Sequence, residues 1–312
     1  MTVLGVDLGG TKCLGVALEG GEIVEEVRLP TPAGGDALLG VLSTVVDRLR
    51  GPSTPEAVGV GAPGLVDHDG VLHFAPNLTL EGELNLRSAL AERLGVRVQV
   101  DNDATCAAWG ERAHGAARGY DDVVLVTLGT GIGGGIVAGG RIVRGANGFA
   151  GEMGHMVVDP QGPRCPCGQR GCWERFASGS GLRRLGREAA RTGEAPRLLD
   201  LAGGDPEQVR GEHVSVAVGE GDKGAAEVVA RFAWWVALGL VNLTNIFDPD
   251  AFVVGGGVIG LGDALFTPAR AAFADLLQGK GRRPPVAVLP AALGERAGAI
   301  GAAYLAAEAA GR

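Results

Sequence analysis

One arrangement of apolar runs and glycine turns occurs twice in the chain. Residues 3–29, VLGVDLGGTKCLGVALEGGEIVEEVRL, contain three β-rich runs separated by two glycine turns, which predicts a three-stranded antiparallel meander. Residues 123–145, VVLVTLGTGIGGGIVAGGRIVRG, repeat the same order of run, glycine turn, run, glycine turn and run. A duplication of this kind predicts an α/β protein with two similar lobes rather than a single doubly wound sheet.

Further elements are expected in each lobe. The sequence predicts buried strands at residues 56–63, 96–103 and 250–258. It predicts helices at residues 31–49 and 223–246. The second of these helices is very apolar, but Asn242, Thr244 and Asn245 interrupt it, so we expect a buried helix rather than a membrane span. No long low-complexity linker is present, and the chain is expected to cross between the lobes through a helix near residues 103–119.

Charge and composition exclude several classes of protein. The net charge is -8 and the pI is about 5.2, and without a run of Lys and Arg the chain is not expected to bind nucleic acid. The N-terminus has no basic region before its few apolar residues, so it does not read as a signal peptide, and a cytoplasmic protein is expected.

The glycine turns have the composition of phosphate-binding loops. Glycine lets the backbone come close to a ligand and present N–H groups to anionic oxygens. In the first turn, Gly9 and Gly10 are followed by Thr11 and Lys12, and Asp7 could hold Mg²⁺ through water. An ordinary hairpin turn is the alternative for this stretch. The motif is neither a P-loop nor a dinucleotide fingerprint, because a strand follows each turn.

Three of the five cysteines lie within eight positions, in RCPCGQRGCWE, residues 164–174. In a reducing compartment such a cluster is typical of metal ligands rather than of a disulfide framework.

Together these motifs carry a family resemblance. In order and spacing the chain resembles the ROK sugar kinases, and among them the bacterial glucokinases, in these stretches: DLGGTK, GAPG at 61–64, VDNDATCAAWGE, LGTGIGGG, GEMGH and CPCGQRGCWE. The resemblance implies an actin-like ATPase (ribonuclease H-like) fold, with two lobes and a cleft between them. We predict a smaller lobe of residues 1–117 plus about 295–312, and a larger lobe of residues 118–294 that contains the cysteine loop.

The resemblance also implies roles for individual residues. The predicted zinc ligands are His155, Cys165, Cys167 and Cys172, a set typical of closed structural sites; an unligated reduced cluster and a labile disulfide are the alternatives. The predicted sugar site contains Asn77, Asn102, Asp103, Glu152, His155 and Glu174, with an ordinary turn residue as the alternative role for Asn77. Asp103 is the predicted general base, with a helix N-cap as its alternative role. The predicted contacts to Mg-ATP are Asp7, Gly9, Gly10, Thr11, Lys12, Thr130, Gly131, Gly256 and Gly257.

The implied activity is phosphoryl transfer from ATP to a hexose, with glucose and its 6-hydroxyl as the expected acceptor. The alternatives are a kinase for N-acetylmannosamine, fructose, allose or N-acetylglucosamine, a polyphosphate-dependent glucokinase, and a non-catalytic sugar-binding regulator. A repressor of the same family would carry a helix-turn-helix before residue 7, and with six residues before Asp7 we do not expect a repressor. A homodimer or homotetramer is expected.

Overall fold

The computed structural model describes residues 2–50 and 55–311, which divide into two compact units. The first unit comprises the described residues of 1–125, 134–151 and 291–312, and the second comprises residues 126–133 and 152–290. The chain therefore passes between the units four times: within β9 between residues 125 and 126, within β10 between residues 133 and 134, between residues 151 and 152, and between residues 290 and 291. These divisions differ from the predicted lobes, since residues 118–125 and 134–151 lie in the first unit.

The strands of the described residues form two five-stranded sheets and one three-stranded sheet. In chain order they are β1 Thr2–Leu8, β2 Lys12–Glu19, β3 Glu22–Pro30, β4 Ala57–Ala62, β5 Leu65–Val66, β6 Val71–Phe74, β7 Leu84–Asn85, β8 Arg97–Asn102, β9 Val123–Leu128, β10 Ile132–Ala138, β11 Arg141–Ile142, β12 Ala251–Gly255 and β13 Ala287–Pro290. The two larger sheets have the orders β3-β2-β1-β4-β8 and β11-β10-β9-β12-β13, and β5-β6-β7 form the small sheet. Each larger sheet thus carries one of the predicted three-run repeats at one side, followed by two later strands.

The helices are as follows: α1 Gly35–Arg50, α2 Leu86–Leu94, α3 Asp103–His114, α4 Glu174–Ala177, α5 Gly179–Thr192, α6 Pro196–Leu201, α7 Gly211–Gly219, α8 Lys223–Phe247, α9 Asp263–Leu276 and α10 Ala297–Ala310. Short 3₁₀ turns occur between them.

In the first unit, α10 packs directly on the sheet because both surfaces consist of small residues. A Cβ added at Gly5 of β1 would lie 1.9 Å from the carbonyl oxygen of Ala299, and one at Gly59 of β4 would lie 1.9 Å from that of Ala302. Only glycine allows this approach of helix to strand. Leucine and valine side chains of α1, among them Leu42 and Val45, fill the core of this unit together with β1 and β4.

Helix α3 also packs against α10, and this corrects one expectation. A Cβ at Gly110 of α3 would lie 2.5 Å from the carbonyl oxygen of Ala297, and a Cβ at Gly301 of α10 would lie 1.7 Å from that of Cys106. The helix predicted to carry the chain between the lobes therefore lies entirely in the first unit, and the first crossing occurs in β9 instead.

In the second unit, α8 is a long core helix. It has the length and apolar composition of a membrane span, and 56% of its most apolar window is buried inside the protein. The indole of Trp173 lies against it at Gly239, where an added Cβ would be 1.9 Å from the indole, and the Trp173 Nε1 donates to the carbonyl oxygen of Trp235 at 2.8 Å. The expectation of a buried helix in this stretch is confirmed by the side chains that it buries, such as Phe232 and Leu240.

Candidate functional site

The first glycine turn joins β1 to β2. The Gly9 N–H donates to the Lys12 carbonyl oxygen at 2.9 Å, and the Thr31 hydroxyl donates to the Gly9 carbonyl oxygen at 2.6 Å. A Cβ at Gly10 would lie 3.0 Å from Asn77, so the turn and the predicted sugar-binding amide are neighbours. The Lys12 ammonium forms an exposed ion pair with Glu295.

Two carboxylates of the first unit influence each other. The pKa of Asp7 is raised to about 7, mainly by burial and in addition by the charge of Asp103, while the Lys12 ammonium has a lowering effect. The Asp7 carboxylate lies against α10, where a Cβ at Gly298 would be 2.8 Å from its carboxyl carbon. Because a buried acid with a second acid nearby is stabilised by a cation, this pair suits a divalent metal such as Mg²⁺.

Asn102 and Asp103 lie where β8 ends and α3 begins. Asn102 is the N-cap: its side-chain oxygen accepts from the Thr105 N–H at 3.0 Å, and its Nδ2 donates to the Gly64 carbonyl oxygen at 3.1 Å. Asp103 is the first residue of the helix, and its carboxylate accepts from the Ala104 N–H at 2.8 Å. Capping, the alternative role for Asp103, is therefore carried by its neighbour.

The four predicted metal ligands lie together in the second unit. The ligand atoms of His155, Cys165, Cys167 and Cys172 all lie within 4.8 Å of one another, and the three cysteines are free thiols. The Cys165 Sγ is 3.8 Å from the His155 Nδ1, and the Cys167 and Cys172 sulfurs are 3.6 Å apart. Zn–S bonds of about 2.3 Å in a tetrahedron place sulfurs about 3.8 Å apart. The residues present thus fit tetrahedral zinc.

The loop that carries these cysteines doubles back through two glycines. Gly168 and Gly171 have φ of 95° and 71°, and a Cβ at Gly171 would lie 1.5 Å from the Asp159 carbonyl oxygen. An isolated bridge pairs Val157 with Cys172, which brings the last cysteine back beside the segment that follows His155. Positive φ at both glycines, which side chains other than hydrogen disfavour, lets the loop reverse its direction.

Two acids flank the cysteine cluster. The Cys165 thiol donates to the Glu174 Oε1 at 2.9 Å, and a Cβ at Gly131 would lie 2.6 Å from the Glu174 Oε2. The Glu152 carboxylate is 3.8 Å from the His155 Nε2, the ring nitrogen that faces away from Cys165. Desolvation raises the pKa of Glu152, the His155 imidazole lowers it, and the charge of Glu174 raises it. The two carboxylates are therefore close enough to repel each other.

The second glycine turn forms part of a cavity of about 530 Å³ in the second unit. The Gly129 N–H donates to the Gly131 carbonyl oxygen at 3.0 Å, and the Ser180 hydroxyl donates to the Thr130 carbonyl oxygen at 2.6 Å. Gly256 has a φ of 87°, and a Cβ there would lie 2.4 Å from the Leu128 carbonyl oxygen. Thr130 and Gly257, two predicted nucleotide contacts, line the cavity.

Sequence reasoning missed most of this cavity's wall. The residues not predicted include Gly179, Ser180, Arg183, Arg210, Glu212, Ser215, Val258 and Leu261. The one local signal is the run SGSG, residues 178–181, which starts α5: Ser178 is the N-cap and accepts from the Gly181 N–H at 3.3 Å. A helix start rich in serine and glycine beside a glycine turn is typical of anion-binding loops.

The structure assigns the predicted site residues to the units as follows. The first unit contains Asp7, Gly9, Gly10, Thr11, Lys12, Asn77, Asn102 and Asp103. The second contains Thr130, Gly131, Glu152, His155, Cys165, Cys167, Cys172, Glu174, Gly256 and Gly257.

Comparisons with known proteins identify the family of this chain. The ROK family matches residues 3–309. The chain is 40% identical to a glucokinase of Streptomyces coelicolor, over 98% of this chain and 97% of that protein. A ROK family glucokinase from Streptomyces griseus, in complex with glucose and AMPPNP, superimposes with a TM-score of 0.86 at 40% identity and covers 99% of this chain and 100% of that one. A ROK hexokinase from Thermus thermophilus gives a TM-score of 0.82 at 34% identity over 100% of both chains. The fold is the two-lobed actin-like ATPase fold.

Proposed function

Since the chain belongs to the ROK family, we propose that it transfers the γ-phosphoryl group of ATP to the 6-hydroxyl of glucose. It is then a hexokinase-type phosphotransferase, a glucokinase. The observation that carries the mechanism is the position of Asp103 at the first residue of α3, where its charge acts on the buried carboxylate of Asp7 while Asn102 makes the capping bond to Thr105.

Asp103 acts as the general base. It accepts the proton of the sugar hydroxyl as that oxygen attacks the γ-phosphorus in line, a role typical of an aspartate in phosphoryl transfer. The proposed sugar ligands are the amides of Asn77 and Asn102, the carboxylates of Glu152 and Glu174, and the Nε2 of His155. Carboxylates and amides suit a polyol because each offers two contact points to adjacent hydroxyls.

A structural zinc ion would be held by His155, Cys165, Cys167 and Cys172, where it would supply a closed tetrahedral anchor rather than an activated water. The Nδ1 of His155 lies on the side of Cys165 and its Nε2 on the side of Glu152. The imidazole therefore has one nitrogen for the cluster and one for the sugar. Glu174 follows Cys172 by two residues, so the cluster positions its carboxylate as well.

The proposed contacts to Mg-ATP are the two glycine turns. Residues 9–12 and residues 130–131 would present N–H groups and hydroxyls to the phosphates, and Asp7 would hold Mg²⁺, which would neutralise phosphate charge. Burial raises the pKa of Asp7, and a bound cation would favour its ionised form. The cavity of about 530 Å³ beside Gly257 has the volume of a small-molecule site and receives the nucleoside.

We also propose that the protein is a cytoplasmic homodimer or homotetramer. Trp234, Ile246 and Phe247 of α8 are 41%, 64% and 39% exposed. Large apolar side chains at the surface are typical of an interface. Sedimentation at micromolar concentrations should give a dimer or tetramer, and a monomer throughout would contradict the proposal.

A coupled assay of ADP release over a panel of hexoses tests the activity. The panel contains glucose, fructose, allose, N-acetylglucosamine and N-acetylmannosamine, each with ATP and with polyphosphate as donor. We expect the highest kcat/KM for glucose with ATP. A higher value for another sugar would reassign the substrate, and the absence of ADP release with every sugar would overturn the enzymatic proposal.

A further inference from the structure

A second large cavity, of about 970 Å³, lies within the first unit. Its wall is formed by parts of α2, β8, α3, β11 and α10 and by the segment after β5. None of the residues proposed above for the sugar, the nucleotide or the zinc lines it. The proposed function therefore does not account for this cavity.

The wall is rich in arginine. Arg87, Arg112, Arg141 and Arg144 all line the cavity. Arg144 binds the buried carboxylate of Asp101 through Nε and Nη2 at 2.7 and 3.0 Å, and this pair raises the pKa of the guanidinium against the opposing effect of burial. Arg144 is thereby fixed as a permanent cation of the wall.

The other three guanidinium groups are less fully paired. Arg112 forms an ion pair with Asp121 at 2.8 Å and stacks over the Trp109 ring, yet its buried Nε has no hydrogen-bond partner. The buried Nε of Arg87 likewise has none. Within residues 2–50 and 55–311, neither Arg87 nor Arg141 has an ion-pair partner.

The acids of the wall are already occupied. Asp101 is bound by Arg144, and Asp67 accepts from His73 Nε2 at 2.8 Å and from the backbone N–H groups of Asp69 and Val71, each at 2.9 Å. Glu308 contributes to the field around Arg144. The unpaired groups of the cavity are therefore hydrogen-bond donors and positive charges, and an occupant must supply acceptors and negative charge.

We propose that this cavity is a second ligand site, separate from the catalytic residues, that binds a phosphate monoester of a hydroxylated small molecule of hexose size. A phosphate group matches the wall because its three terminal oxygens and its charge of about -1.5 to -2 can engage more guanidinium groups than the two oxygens and single charge of a carboxylate. The volume accommodates a sugar ring beside the phosphate, and Gln99 and His68 offer polar contacts to hydroxyls.

Calorimetric titration of the protein tests the site. The probes are glucose 6-phosphate, inorganic phosphate and glucose, and the phosphates are titrated in the presence of saturating glucose and AMPPNP to occupy the catalytic residues. Arg87→Gln and Arg141→Gln each remove one unpaired guanidinium. Arg93→Gln is the matched control, because Arg93 lies on the same helix as Arg87 but outside the cavity and pairs with Asp36.

We expect saturable binding of glucose 6-phosphate that weakens about tenfold or more in each cavity variant and stays unchanged in the control. Arg141 is exposed on a two-residue strand, so Arg141→Gln keeps the test valid should Arg87→Gln fail to fold. The rate of glucose phosphorylation at saturating substrates should be unchanged in Arg141→Gln, which separates this test from that of the catalytic proposal.

Two results would overturn the proposal. One is equal affinity for glucose 6-phosphate in the wild type and in both cavity variants, and the other is the absence of saturable binding at millimolar concentrations. Inorganic phosphate binding as tightly as the sugar phosphate would refute the assignment to a sugar-sized ester.

Discussion

The substitution Asp103→Asn separates catalysis from structure. Asparagine keeps the size of the side chain and can bind a sugar hydroxyl, but it cannot take a proton. General-base catalysis contributes about 10²–10⁴-fold, so we expect kcat to fall at least about 100-fold, a loss of about 2.7 kcal/mol of transition-state stabilisation, while glucose affinity changes little. The helix should tolerate the change, since Asn102 makes the capping bond to Thr105 at 3.0 Å.

The matched comparison is Asn102→Ala, which removes the cap. Losing an N-cap costs about 0.5–2 kcal/mol, and for a chain of this size each kcal/mol lowers Tm by about 2–4 °C. Asp103→Asn should therefore be slow and stable, and Asn102→Ala should be less stable. Measuring kcat, glucose affinity and Tm on both variants distinguishes the roles. Turnover near the wild-type rate in Asp103→Asn would refute the assignment of the base.

Three further substitutions test other parts of the structure. Cys167→Ser should lower the zinc content, measured by elemental analysis, from about one ion per chain, and it should reduce the activity in the coupled assay. Active wild-type protein without metal would contradict the zinc site. Gly131→Ala should raise the KM for glucose, because the new Cβ would lie 2.6 Å from the Glu174 carboxylate, whereas Gly129→Ala, with its nearest contact at 3.9 Å, should not. Glu111→Ala should lower the free energy of unfolding, measured with denaturant, by at least about 3 kcal/mol. The reason is that this buried carboxylate accepts from three backbone N–H groups, including that of Leu293 at 2.8 Å. A loss under about 1 kcal/mol would show that those groups find other partners.

The repeated meander was predictable because its information is local. Each glycine turn links adjacent strands, so strand order β3-β2-β1 and its counterpart β11-β10-β9 follow from neighbouring residues. The crossing between the units was not predictable in the same way. Helix α3 belongs to the first unit because Gly110 packs against Ala297, about 190 residues later, and no local pattern indicates that partner.

In the candidate site, too, local features were predictable from the sequence and long-range ones were not. The cysteine cluster was predictable because its three cysteines lie within eight positions, whereas the cavity beside Thr130 is lined by residues of α5, of α7 and of the segment after β12. Arg183 and Arg210 face that cavity from separate elements and have no shared motif. The arginine-lined cavity of the first unit is assembled from even more distant segments, so only the fold brings its charges together.

Glu174 is held from two directions, and this explains how a small loop can position a sugar ligand. On one side its carboxylate meets Cys165 at 2.9 Å, within the metal cluster. On the other side the preceding residue, Trp173, is fully buried against Gly239 of α8 and donates a hydrogen bond to the Trp235 carbonyl oxygen. The indole fixes the backbone at the start of α4 through the core, and the protonated Cys165 thiol holds the carboxylate. Zinc binding would deprotonate Cys165 and remove this hydrogen bond, so metal loading should change the orientation of the Glu174 carboxylate while the core of the second unit remains folded.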